Sequence, residues 1–175
     1  MIKKIAIVLL IIIAGILGTA ATKPDNFSVS RSVEIKAPPE KIIGLVSDFH
    51  QWPRWSPWEK LDPGMKRTFS GAPNGKGAIY NWSGNSDVGA GRMEVTEVQM
   101  PGKVVIDLDF QEPFASSNVT EFTFAPKGET TTVTWDMRGP MPFVSKVMSV
   151  FVSMDAMIGK DFEKGLASMK AAAEQ

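Results

Sequence analysis

Between Ile5 and Ala21 the chain runs for 17 residues without a charge, and Thr19 is the only polar side chain among them. A helix built from such a run has no polar face to turn toward water, so it must be buried in protein or sit in lipid. Lys3 and Lys4 precede the run, and the small residues Gly18, Thr19, Ala20 and Ala21 close it. A basic flank, an apolar stretch and a small-residue close form the pattern of a membrane anchor or a secretory signal. At 17 residues the run is near the shortest that crosses a hydrocarbon core of ~30 Å. The expectation is a single-pass anchor over residues 1–22 in the inner (cytoplasmic) membrane. Lys3 and Lys4 stay on the cytoplasmic side and residues 23–175 form a domain on the periplasmic or extracytoplasmic side. A cleaved signal with a secreted product, or a buried soluble helix, are the alternatives.

Composition narrows the chemistry. The whole chain carries 19 basic and 19 acidic side chains. Setting aside Lys3 and Lys4 leaves 17 against 19, a net charge of −2 with no basic surplus for nucleic-acid phosphates or anionic lipid heads. There is no Cys, which removes disulfides, thiolate metal sites and a Cys nucleophile. A single His, His50, cannot build a multi-histidine metal cage. No nucleic acid, metal or cofactor is therefore expected.

Beyond residue 22 the hydrophobic period changes twice. Phe27, Val29, Arg31, Val33 and Ile35 alternate with Ser or charged residues, the period of a half-buried strand. Pro38, Pro39 and Glu40 then open a helix whose apolar face holds Ile42, Ile43, Leu45, Val46 and Phe49. From Met65 to Met141, turn residues at 71–77, 84–85, 89–91, 101–102 and 127–129 mark antiparallel hairpins. The last segment has apolar residues at Phe143, Val147, Phe151, Met154, Ile158, Phe162, Leu166, Met169 and Ala173, steps of three and four that predict one helix of about 30 residues. A helix of that length is expected to lie across the apolar face of the sheet.

This order resembles the START-like superfamily, also called the polyketide cyclase/dehydrase and lipid-transport (SRPBCC) superfamily. The string Ser30–Ile35 followed by Ala37, Pro38, Pro39 and Glu40 is similar to the first strand and helix start of its members. Asp48-Phe49, Trp52-Pro53 and Trp55-Ser56-Pro57-Trp58 are similar to the stretch after that helix. Met154-Asp155 and Gly159–Leu166 resemble the long helix of membrane-anchored bacterial members. The resemblance covers residues 27–173. It implies an α+β helix-grip fold, an antiparallel sheet wrapped around a long C-terminal helix, with a cavity for an apolar ligand. It implies no catalytic residue, because the superfamily spans carriers, cyclases, hormone receptors and chaperone activators.

Candidate ligand-binding residues follow. Trp52, Trp55 and Trp58 suit a pocket mouth or an interfacial contact, or else pack the helix pair on the sheet. Trp82, Phe110, Phe122, Trp135 and Met137 are the large strand residues expected to face the helix, with Phe151, Met154 and Ile158 opposite them. Six of the nine internal Met residues lie at 137–169, a flexible wall suited to varied apolar ligands. Asn85, Asn118 and Arg138 are candidate orienting groups, and Asp155 a candidate partner for a ligand or for Arg31. His50 with Asp48 invites an acid–base reading. The function expected is binding of a hydrophobic small molecule or lipid between sheet and helix. The alternatives are a protein-interaction module with an exposed apolar patch around Trp52–Trp58, and a cyclase/dehydratase-type enzyme using His50, Asp155 or another acid as general acid/base.

Overall fold

In the computed structural model, which describes all 175 residues, the apolar run forms helix α1 (Ile2–Ala21). It is long and apolar enough to cross a membrane. Nearly all of its surface is exposed; Ile16 and Ala20, one turn apart on one face, are the shielded positions. The remainder builds β1 (Asn26–Ile35), α2 (Pro39–Ser47), two 3₁₀ turns (Phe49–Arg54 and Pro57–Lys60), β2 (Lys66–Gly71), β3 (Ala78–Ser83), β4 (Ala90–Gln99), β5 (Lys103–Glu112), β6 (Ser116–Lys127), β7 (Thr130–Pro140), α3 (Phe143–Met148) and α4 (Met154–Ala173).

All seven strands join one antiparallel sheet in the order β1-β7-β6-β5-β4-β3-β2. The predicted turns at 71–77, 101–102 and 127–129 fall between consecutive strands. Those at 84–85 and 89–91 belong to one β3–β4 connection that ends as β4 starts at Ala90, and the β5–β6 turn at 113–115 is not among the predicted ones. In the turn between β2 and β3, Gly75 and Gly77 take φ of 68° and 86°, values that a side chain would strain. Alternation within the strands puts Ile106, Phe122, Val133 and Trp135 on the face that α2, the 3₁₀ turns and α4 cover. This is the α+β helix-grip architecture.

The long C-terminal helix differs from its expected form. The predicted helix of about 30 residues is divided at Ser149–Ser153 into α3 and α4. Ser153 has extended backbone (φ −71°, ψ 154°), and its hydroxyl accepts from the Ala156 N–H at 3.1 Å, so it starts a new helix as an N-cap. β-branched Val150 and Val152 beside it disfavour helix continuation. Only the second half of the apolar stripe, Phe162, Leu166, Met169 and Ala173, enters the core. Phe151, expected on the sheet-facing stripe, lies in the break and is exposed.

Alternation in β1 turns Arg31 toward α4. Its guanidinium donates to Asp155 at 2.7 Å and to Glu163 at 2.8 Å, one carboxylate on each side of Gly159. A side chain at position 159 would overlap the guanidinium, so this glycine permits the close approach. The hydrogen bond from Arg31 holds the Asp155 carboxyl below its ordinary value of 3.8. A depressed carboxyl contributes its stabilisation above that ordinary value and loses it as pH falls through the lower, folded value. We expect the first two turns of α4 to lose hydrogen-exchange protection, corrected for intrinsic rates, below about pH 3.8, while residues 166–173 keep theirs. Arg31→Gln should abolish that difference between the two halves of the helix.

Candidate functional site

Between the sheet and the N-terminal half of α4 lies a cavity of about 290 Å³, lined by 18 residues of which 14 are hydrophobic. The 3₁₀ turns bring Trp52, Ser56, Trp58 and Glu59. The strands bring Tyr80, Trp82, Met93, Leu108, Phe110, Thr120, Trp135 and Met137, and α4 brings Met154, Ile158 and Phe162. The hollow exists because α4 leans on β1 and on the 3₁₀ turns. The cavity is the space left between the first turns of α4, with Met154 and Ile158, and the β3–β5 side of the sheet, with Trp82, Met93, Leu108 and Phe110.

The floor is a stack of rings. Phe162 lies parallel to Trp135 at 4.0 Å (7°), and Trp135 stacks on Phe122 at 4.9 Å. Trp58 meets both Trp135 and Phe162 edge to face, at 5.7 and 6.2 Å. Such pairs add about 0.5–1.5 kcal/mol each beyond area burial. The Trp135 Nε1–H is buried without an acceptor. Gly165 of α4 makes room for the same indole: a Cβ there would stand 2.8 Å from the Trp135 ring and 3.2 Å from Pro57. Gly165→Ala should therefore destabilise the fold by about 1–3 kcal/mol through overpacking. It should also shift the tryptophan emission; chemical denaturation and fluorescence check both.

One wall holds a buried carboxylate, Glu59, paired with a partly exposed arginine behind it. The Glu59 side chain is 4 % exposed and that of Arg67 26 %. Arg67 Nε donates to Glu59 Oε2 at 2.7 Å and the Tyr80 hydroxyl donates to Oε1 at 2.6 Å, so both carboxylate oxygens are engaged. Arg67 also donates to the backbone oxygens of Met65 and Glu59. Burial, reinforced by the Glu59 carboxylate, pushes the Tyr80 hydroxyl well above its ordinary value of 10.0, so it stays a donor.

Eight candidate residues come together in this lining: Trp52, Trp58, Trp82, Phe110, Trp135, Met137, Met154 and Ile158. The others lie elsewhere. Trp55 and Phe122 are buried behind the lining, and the Trp55 Nε1–H donates to Leu45 O at 2.8 Å. Asn118 is buried at the start of β6 and donates to Ser116 Oγ at 3.2 Å. Asn85 shapes the β3–β4 turn, its side chain accepting from the Asp87 N–H at 2.9 Å. Arg138 pairs with Glu121 and Asp136 on the outer face. Phe151 and Asp155 sit outside the cavity, on the helix break and on Arg31.

His50 stacks on Phe69 at 4.2 Å and its Nδ1 lies 2.9 Å from Asp48, beside a separate hollow and not in the main lining. No three His, Asp or Glu side chains converge as a metal site. The apolar patch expected around Trp52–Trp58 is not exposed: Trp52 and Trp55 are buried and Trp58 is half-buried. Sequence reasoning missed Glu59, Met65, Tyr80, Met93, Leu108 and Thr120. Tyr80 and Leu108 were within reach, since they alternate with Trp82 and Phe110 on the same strands. Glu59, between Trp58 and Lys60, carries no local signal.

Comparisons with known proteins agree with this fold. A sequence model of the family described as polyketide cyclase / dehydrase and lipid transport matches residues 26–174. No curated protein matches the chain in sequence. Several solved structures share its fold. Major latex-like protein 151 from Panax ginseng is 14% identical with a TM-score of 0.61, over 87% of this chain and 100% of the ginseng one. The Aha1 dimer from Colwellia psychrerythraea is 16% identical with a TM-score of 0.59, over 85% and 96%. The di-domain ARO/CYC BexL of the BE-7585A biosynthetic pathway is 14% identical with a TM-score of 0.64, over 91% of this chain and 53% of BexL.

Proposed function

Because the chain belongs to the polyketide cyclase/dehydrase and lipid-transport family, we propose that it holds one hydrophobic small molecule or lipid in the cavity between the sheet and α4. The observation that carries this reading is the lining, with 14 of 18 residues hydrophobic. The volume, about 290 Å³, lies just below the ~300–1,000 Å³ typical of ligand sites, which suits a small ligand. Burial supplies the affinity: a ligand that loses ~200 Å² of apolar surface gains ~5 kcal/mol. The Met side chains at 65, 93, 137 and 154 let the wall adapt to ligand shape. Helix α1 tethers the domain to the cytoplasmic membrane, and Lys3 and Lys4 keep the domain on the opposite, extracytoplasmic side.

A cyclase/dehydratase-type step finds less support. His50 and Asp155 lie outside the lining, and Glu59 and Tyr80 already engage each other. The full chain in lipid nanodiscs tests binding with N-phenylnaphthylamine, a neutral apolar fluorophore. Energy transfer from Trp52, Trp58, Trp82 and Trp135 should show a component that saturates at one probe per chain, above the linear rise from probe dissolved in the nanodisc lipid. A linear rise with no saturating component contradicts the reading. Release of the chain from membranes by alkaline carbonate would contradict the tether.

A further inference from the structure

We propose that α3 and the Ser149–Ser153 connection lie in the surface of the bilayer that takes α1 and form a lipid-facing rim for the cavity. This inference rests on the tether proposed above. The break in the C-terminal helix leaves a cluster of large apolar side chains uncovered, including Val144 at 68 % exposure and Phe151 at 69 %, with Phe143, Met148 and Val152 about half exposed. Residues 143–153 contain one charge, Lys146, and its ammonium is paired with Asp25 at 2.6 Å. The segment thus offers apolar surface with no free charge, which fits the acyl and glycerol zone of a bilayer and not a polar protein partner.

The occupant follows from α1. Helix α1 touches α3, and its shielded residues are Ile16 and Ala20. The Asp25–Lys146 pair, and the Met141 N–H donating to Asp25 O at 2.7 Å, fix the chain between the two helices. At 20 residues, α1 is about 30 Å long, the full thickness of a hydrocarbon core. Ile16 lies only about 7 Å from its C-terminal end by helix rise. A bilayer that accepts all of α1 therefore reaches the level of α3. Phe114, 74 % exposed in the β5–β6 turn, projects from the same end of the sheet as the start of β1 and the end of β7.

The cavity opens at that end. Its deep lining is buried, whereas Trp82, Asp87, Val88, Phe110, Met154 and Ile158 are partly or fully exposed. These come from the ends of β3 and β5, the β3–β4 turn and the first turns of α4, which begin directly after the Ser149–Ser153 connection. An apolar molecule leaving the bilayer would cross this rim to reach Trp135 without entering bulk water.

The absence of Cys makes depth measurement direct. Single-Cys variants of the full chain at Leu10, Lys76, Val144 and Val152 carry an environment-sensitive fluorophore in phosphatidylcholine vesicles with nitroxide placed high on the acyl chain. Lys76, in the β2–β3 turn at the far end of the sheet, is the reference. The expected result is several-fold stronger quenching at Val144 and Val152 than at Lys76. Quenching at Leu10 with Val144 and Val152 matching Lys76 overturns the rim while leaving the tether intact. No quenching at any of the four positions overturns both. Independently, Phe143→Asp with Phe151→Asp should slow uptake of N-phenylnaphthylamine from vesicles about tenfold with its saturating stoichiometry unchanged, since a charge on a lipid-facing position resists insertion. An unchanged rate contradicts the rim.

Discussion

Arg67→Met should lower the melting temperature of the domain by about 6–20 °C. The substitution removes the cation that faces Glu59 Oε2 at 2.7 Å and leaves that carboxylate, 4 % exposed, with only the Tyr80 hydroxyl as a side-chain partner. Removing one member of a buried ion pair costs about 3–5 kcal/mol, and each kcal/mol shifts the midpoint of a domain of this size by about 2–4 °C. Adding Glu59→Gln should recover most of the loss, because a neutral amide still accepts from Tyr80 and leaves no uncompensated charge. Calorimetry of the single and double variants checks both statements. A double variant no more stable than Arg67→Met would mean that the charge is not what makes the site costly to disturb.

Trp135→Ala should destabilise the fold by about 3–5 kcal/mol, the usual cost of truncating a buried large aromatic side chain. The indole is the hub of the floor: Phe162 and Phe122 stack against it, and Trp55 and Trp58 meet it edge to face. Trp135→Phe should cost far less. Its Nε1–H has no acceptor, and removing an unpartnered buried donor returns about 1–3 kcal/mol against the smaller loss of packed area. Urea midpoints of the two variants should therefore lie far apart. Similar midpoints would contradict the claim that the indole nitrogen contributes nothing favourable.

Much of the fold was legible because strand alternation and turn residues act locally. Val29 and Ile35 point inward in β1 as their spacing requires, and the predicted turns separate consecutive strands. The helix break was less visible. Phe151, Met154 and Ile158 continue an apolar period of three and four, and the Ser153 cap beside β-branched Val150 and Val152 interrupts it. A serine inside an apolar stripe reads as a tolerated polar residue until its hydroxyl is seen to accept from Ala156 N–H. The same break moved Phe151 from the expected pocket wall to an exposed surface.

Eight of the proposed ligand residues share one lining because large aromatic and Met side chains on facing elements are forced together by size. Asn85, Asn118 and Asp155 do not join them. Their polar atoms are taken up by a turn, a serine and Arg31, partners set by tertiary contact and invisible in sequence. Glu59 was illegible for the same reason: its partners Arg67 and Tyr80 lie 8 and 21 residues away on two strands.

The central claim is that the space beside Trp135 holds one apolar molecule. Mass spectrometry of the intact full chain, released from native membranes under gentle conditions, tests it against Met137→Trp, which narrows the cavity from β7 while leaving α1 and α3 unchanged. The account predicts one apolar adduct per parent chain, recoverable by organic extraction, and a lower occupancy or a smaller adduct on a folded Met137→Trp chain. The same adducts at the same occupancy on both chains, or no adduct on the parent, would contradict it.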